Sequence, residues 1–84
     1  MYIITGSVTS ASRLAKAAER IGGYPAYVVH TPTALRHGGC SYSVRCDERI
    51  FPSVNDIADA AGITVKGIYS EKYENGERVY RDIS

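Results

Sequence analysis

The two cysteines are the side chains best suited to covalent chemistry, and both lie in the segment RHGGCSYSVRCD, residues 36–47. Cys40 follows a pair of glycines, and Cys46 comes six residues later. A cysteine can be a nucleophile or sulfur acceptor, a metal ligand, half of a disulfide, or a small apolar packing residue. Residue types alone leave all these uses open, so the elements that position the thiols must decide among them.

The hydrophobic pattern predicts the element order β-α-β-β-α-β. Apolar residues recur at three- and four-residue intervals in two segments, and β-branched or alternating residues fill four others. The helical segments are 7–23 and 53–62, and the predicted strands are 2–5, 24–31, 40–47 and 63–69. Ser7 or Thr9 is expected to cap the first helix and Ser53 the second. Asn75-Gly76 predicts a type I′ turn that lengthens the fourth strand and adds a fifth.

This order predicts an α+β, ferredoxin-like βαββαβ sandwich with an antiparallel sheet of order 4-1-3-2 and a C-terminal β-hairpin extension. Residues 1–84 are interpreted as one domain, with a core at about 2–69 and the hairpin at about 69–83. Both helices should cover one face of the sheet, leaving the other face open. Tyr69, Tyr73 and Tyr80 are expected to pair across the strands of the hairpin.

The predicted topology brings Cys40 to the beginning of the first helix. The third strand would run antiparallel beside the first, so Cys40 would lie near the turn that follows Gly6. A helix N-terminus stabilises a thiolate and lowers its pKa. We expect Cys40 to be a nucleophilic thiol or an acceptor of a sulfur atom, and His37 to assist proton transfer. The residues expected to stabilise the thiolate are Ser7, Val8, Thr9, Ser10 and Gly39. An inert, buried Cys40 remains the alternative.

Cys46 is predicted to be a buried bystander. Alternation places it on the same face as Cys40 and Val44, but one extended strand separates the two sulfurs by about 20 Å. A disulfide needs Cα atoms within about 7 Å, so the cysteines cannot form a pair. A metal site of His30, His37 and Cys40 would have only three ligands, and solvated histidines are the favoured interpretation; we expect no metal.

Composition and motifs argue against other classes of function. The formal net charge is +1, and no apolar run approaches the length of a membrane span, so we expect neither nucleic acid nor membrane as a partner. The third strand lacks the basic-glycine-aromatic signature of RNA-recognition domains and offers Ser41, Ser43 and Arg45 to the open face. Two cysteines without a secretory signal indicate a cytoplasmic protein.

Several motifs resemble a family of small bacterial selenium/sulfur carrier-like domains. They are the opening strand with its Gly6-Ser7 turn, the loop and strand TPTALRHGGCSYSVR, and the later strand in AAGITVKGIY. The resemblance covers about residues 2–69 and places the family's cysteine on Cys40. Other matching positions are Pro32, Gly39 and Arg45.

The sequence departs from the family pattern in two places. Ser41 stands where the family often has glycine, and the tail beyond Tyr69 is longer than the usual form. Both departures concern the approach of another molecule, either to the thiol or to the end of the sheet.

The resemblance implies a carrier that holds a persulfide or selenosulfide on Cys40, with sulfur or selenium donor and acceptor proteins as partners. No bound cofactor is expected, and the protein would be a carrier or binding protein rather than a stand-alone enzyme. The alternative is a regulatory or protein-interaction domain with inert thiols, forming a homodimer or a complex subunit through the open face or the hairpin.

Overall fold

The computed structural model describes residues 1–36 and 42–84. These residues form two α-helices and five strands, and a π-helical segment, Ala18–Gly22, continues the first helix. The elements in chain order are β1 (Tyr2–Ile4), α1 (Val8–Ala17), β2 (Ala26–His30), β3 (Tyr42–Cys46), α2 (Val54–Ala61), β4 (Gly67–Glu74) and β5 (Glu77–Asp82). Short 3₁₀ turns occupy Thr33–Leu35 and Glu48–Ser53.

The strands form one antiparallel sheet in the order β2-β3-β1-β4-β5. β4, β1, β3 and β2 therefore lie side by side, and β5 extends the sheet beyond β4. The hairpin prediction is confirmed, because Asn75 and Gly76 form the two-residue turn with φ values of 52° and 79°. Positive φ at both central residues is the requirement of a type I′ turn. The predicted α+β class is confirmed as well.

The main core lies between the sheet and the two helices. Ile3 and Val44 face each other across β1 and β3, and Leu14 of α1 and Ile57 of α2 pack into the same cluster. All four side chains are fully buried. The three- and four-residue spacing that predicted α1 is the spacing that directs Leu14 and its apolar neighbours toward the sheet.

The opposite face of the sheet is partly covered, so the prediction of an open face is wrong. A smaller apolar cluster joins Tyr2, Ile4 and Leu35, and the ring of Tyr80 meets that of Tyr2 edge-on with centroids 5.7 Å apart. Leu35 reaches this face because the chain after β2 turns back across it. As a result Ser43, predicted to lie on an open surface, has no exposed area.

Two local predictions are also corrected. β4 begins at Gly67 rather than at Ile63, because Ile63 follows α2 as a buried connector whose amide donates to Ala58. Ser53 makes no side-chain capping bond, since its backbone already has a helical conformation. The predicted cross-strand pairing of the hairpin tyrosines is confirmed: Tyr69, Tyr73 and Tyr80 lie opposite Asp82, Arg78 and Glu71 respectively.

Within residues 1–36 and 42–84, neither helix combines the length and the apolar character that crossing a membrane would require.

Candidate functional site

The register of β1 and β3 defines the edge of the sheet at which the cysteine-bearing segment joins it. Ile4 at the end of β1 lies opposite Ser43, next to the first residue of β3. The chain then passes directly from β1 into α1, so the beginning of the helix lies at this edge too. The predicted adjacency of the helix start and the start of β3 is confirmed. Cys40, Gly39 and His37 lie outside the described residues.

The first turn of α1 leaves part of its hydrogen-bonding capacity open. Ser7 is the N-cap: its backbone is extended, and its Oγ accepts a 3.1 Å hydrogen bond from the Ser10 amide. Because Ser7 rather than Thr9 caps the helix, the Ser10 amide already has a hydrogen-bond acceptor. Val8 and Thr9 are the first two helical residues, and their amides have no acceptor within the helix. Among the described residues, no side chain or carbonyl outside the helix accepts from these two amides.

The segment that leads into residues 37–41 is fixed to the sheet. Leu35 is buried in the smaller cluster, and Thr31 is buried at the end of β2. The Leu35 amide donates to the Pro32 carbonyl over 2.8 Å, and Nε of Arg36 donates to the Thr31 carbonyl over 3.0 Å. Pro32, one of the positions in the resemblance, therefore begins a turn that holds the chain against the sheet just before the cysteine.

The segment that leaves residues 37–41 is fixed by β3. Tyr42 lies opposite His30 of β2, and the two rings contact each other with centroids 4.7 Å apart. The exposed His30 ring is thus part of an aromatic pair beside the segment. Among the described residues, no three histidine, cysteine or acidic side chains come together as a metal site would require.

Cys46 is buried at the far end of β3, as predicted. It lies opposite Ala26, belongs to the main core, and is only 7% exposed. Burial raises the pKa of its thiol to about 11. Because a thiolate is the reactive form of cysteine, Cys46 is almost entirely in its unreactive form near neutral pH. The predicted burial of Cys46 is confirmed.

Comparison with models of known protein families shows to which family this chain belongs. A family described as "Putative Se/S carrier protein-like" matches residues 1–70. The chain belongs to this family. The suspected resemblance is thereby confirmed, and the matched range includes Cys40 together with Pro32, Gly39 and Arg45. No curated protein and no solved structure matches the chain.

Arg45, which lies within the range matched by the family model, belongs to a polar network on the sheet face away from the helices. Its guanidinium lies 3.9 Å from the carboxylate of Glu71, and Arg78 approaches the same carboxylate at 3.8 Å. The hydroxyl of Tyr2 donates to Glu71 over 3.1 Å. Glu71 thus holds together three strands, β3 through Arg45, β1 through Tyr2, and β5 through Arg78. Sequence reasoning missed Glu71, although its alternation with Tyr69 and Tyr73 was the available signal.

Proposed function

We propose that this protein carries sulfur or selenium on Cys40, as a persulfide or selenosulfide, from a donor protein to an acceptor protein. The family match over residues 1–70 supports the carrier class. The observation that carries the site assignment is the β1–β3 register, with Ile4 opposite Ser43. That register gathers the start of α1 and the start of β3 at one edge, where the chain enters from Cys40.

The proposed loading step exchanges sulfur without any external oxidant. The Cys40 thiolate attacks the terminal sulfur of a cysteine persulfide on the donor, forming a new S–S bond while the donor's S–S bond breaks. The donor leaves as a thiolate, and Cys40 then holds the persulfide. Delivery to an acceptor thiolate is the same exchange in reverse roles. With a selenium atom in the terminal position, the product on Cys40 is a selenosulfide.

The roles of neighbouring groups follow from the need for a thiolate at neutral pH. The positive end of the α1 dipole favours an anion at this edge, as do the amides of Val8 and Thr9, which have no acceptor among residues 1–36 and 42–84. In the proposal these groups lower the pKa of Cys40, Gly39 leaves room for the incoming persulfide, and His37 transfers protons. The buried Cys46, with its pKa near 11, does not compete for the cargo.

The proposal includes a ferredoxin-like fold and a cytoplasmic location. The succession β4-β1-β3-β2, with both helices packed on one face, supports the fold. A cytoplasmic location suits the chemistry, because thiols there are kept reduced and can accept sulfur. Since the exchange needs only thiolates and a persulfide, the proposed carrier uses no bound cofactor.

Transfer from a defined persulfide tests the proposal directly. The reduced protein is incubated with glutathione persulfide, and its intact mass is measured before and after treatment with a thiol reductant. We expect a reversible gain of one sulfur atom in the wild type and in Cys46→Ala, and none in Cys40→Ser. Loading that persists in Cys40→Ser, or a wild type that accepts no sulfur, would contradict the proposal. A parallel incubation with a selenium-containing donor compares the two elements.

A further inference from the structure

The free edge of β5 has the features of a strand that pairs with another strand. β5 is the last strand of the sheet, and among the described residues it is paired with β4 alone. Its register with β4 is unbroken from Glu74↔Glu77 to Tyr69↔Asp82, with no bulge. The strand contains no proline. Bulges and prolines are two of the devices that protect sheet edges from pairing, and β5 uses neither. It also lies outside residues 1–70, the part matched by the family model.

The hairpin geometry shows which backbone groups of β5 point outward. In a two-residue hairpin, the residues that flank the turn, here Glu74 and Glu77, exchange both backbone hydrogen bonds. Bonding to β4 then recurs at every second residue, and the amide of Ile83 accordingly donates to the carbonyl of Ile68 over 2.9 Å. The even-numbered residues of β5 therefore present their N–H and C=O groups to the free edge. They are Arg78, Tyr80 and Asp82.

Two β5 strands have complementary side chains when they lie antiparallel with their Val79 residues opposite each other. In that register Val79 meets Val79 of a second copy, and Glu77 meets Arg81 of that copy, twice by symmetry. Val79 is 40% exposed, and Glu77 and Arg81 are exposed and form no ion pair with any described residue. The outward backbone groups of Arg78 and Tyr80 meet those of Tyr80 and Arg78 in the second copy, so the hydrogen-bond pattern fits as well.

Arg78 and Asp82, the other charged residues of β5, already have partners within the chain. This argues against the alternative register, which is centred one residue further along the strand. A register centred on Tyr80 would pair Arg78 with Asp82. Arg78, however, is bound to the hydroxyl of Tyr73 at 2.9 Å and lies 3.8 Å from Glu71. Asp82 accepts hydrogen bonds from the backbone and hydroxyl of Ser84. The register centred on Val79 uses Glu77 and Arg81, the two charges of β5 that have no ion-pair partner within residues 1–36 and 42–84.

We propose that two copies of this chain associate through their β5 strands, antiparallel about a two-fold axis at Val79, and form one continuous ten-stranded sheet. The second copy is the partner because the strand's charge pattern complements itself. A six-residue strand provides a small contact area, so the association should be weak and dependent on concentration.

Charge reversal tests both the interface and its register. Sedimentation velocity is measured under reducing conditions, across a wide range of concentrations, on the full chain. The wild type should show a monomer–dimer equilibrium. Glu77→Arg alone and Arg81→Glu alone each replace two attractive contacts by repulsive ones, which should raise the dimer dissociation constant about thirtyfold. Asp59→Arg, an equal change in charge at an exposed position of α2, should leave the equilibrium unaltered.

Variants that restore the attractive contacts between positions 77 and 81 give the stronger test of the register. The double variant Glu77→Arg/Arg81→Glu should dimerise like the wild type, because both contacts are attractive again. An equimolar mixture of the two single variants should form a heterodimer, since arginines face glutamates at both positions. These two recoveries also show that the single variants remain folded.

Four results would overturn the proposal. They are a wild type that stays monomeric at every concentration, single variants that dimerise unchanged, recovery in neither the double variant nor the mixture, and assembly that grows beyond the dimer. Growth beyond the dimer would indicate that β5 pairs instead with the opposite edge strand, β2, because head-to-tail contacts do not close.

Discussion

The buried Cys46 thiol makes stability depend on pH in a direction and by an amount that follow from the structure. Burial raises the pKa of this thiol to about 11 in the folded protein. An exposed thiol in the unfolded chain has a pKa of about 8.5. Between these values the unfolded chain loses the proton while the folded protein keeps it. The free energy of unfolding must therefore fall as pH rises above about 8.5, and the contribution is complete below that pH.

The magnitude can be tested against Cys46→Ala. By pH 10 the unfolded thiol is about 1.5 pH units above its pKa, whereas the folded thiol is still protonated, which corresponds to about 2 kcal/mol of lost stability. Urea unfolding of the wild type and of Cys46→Ala should be followed by circular dichroism from pH 7 to pH 10. The stability difference between them should shift by about 2 kcal/mol toward the alanine variant over this range.

Comparing the two proteins cancels the other titrating groups, including Cys40, which both retain. A difference that stays constant from pH 7 to pH 10 would refute the reasoning. It would mean that Cys46 is not enclosed between β3 and the helices, and the assignment of Cys46 as a protected bystander would fail with it.

Three further substitutions test the elements around the site. Glu71→Gln should cost about 1 kcal/mol in urea unfolding and lower the pKa of Tyr2, which burial and the Glu71 hydrogen bond both raise, whereas the exposed control Glu74→Gln should change neither. Unchanged stability and an unchanged Tyr2 titration would count against the network. Gly76→Ala should cost about 1 kcal/mol because Gly76 has a φ of 79°, and equal stability would argue against the type I′ turn. Ser7→Ala should cost about 1 kcal/mol through loss of the helix cap, and no loss would argue against capping by Ser7.

Local signals were sufficient for much of the fold. The helix spacing around Leu14, a cap at Ser7 or Thr9 and the Asn75-Gly76 turn each depend on neighbouring residues, and all three predictions are confirmed, with Ser7 as the cap. The succession of these elements then led to the antiparallel pairing of β1 with β3. Where a structural feature is determined by residues close in sequence, the pattern alone predicted it.

Apart from the Ser53 cap, the predictions that failed depend on contacts between distant parts of the chain. Leu35 lies in a loop with no periodicity, and only its packing against Tyr2 and Ile4 reveals that the second sheet face is covered. Ile63 alternates with Val65 as a strand residue would, yet the partner available to β1 is the segment that begins at Gly67. In each case the local sequence is compatible with two structures, and tertiary packing selects one.

The sequence predicted where the candidate site lies in the fold but not all of its hydrogen bonds. The frame on which it depends, the adjacency of the α1 start and the β3 start, followed from topology and is confirmed. The detail that Ser7 occupies the amide of Ser10 did not follow, because Ser7 and Thr9 were both suitable caps. The role of Cys40 stays a prediction, since it lies outside the described residues.

The reactivity of Cys40 is the most direct test of the proposal that this residue carries sulfur or selenium. The rate of iodoacetamide alkylation at Cys40 and Cys46 should be measured site by site, by mass spectrometry, from pH 5 to pH 10. The account predicts that Cys40 reacts with a midpoint well below the ordinary thiol pKa of about 8.5, while Cys46 stays protected across the range. A protected Cys40, or one that titrates like a free thiol, would contradict the carrier function.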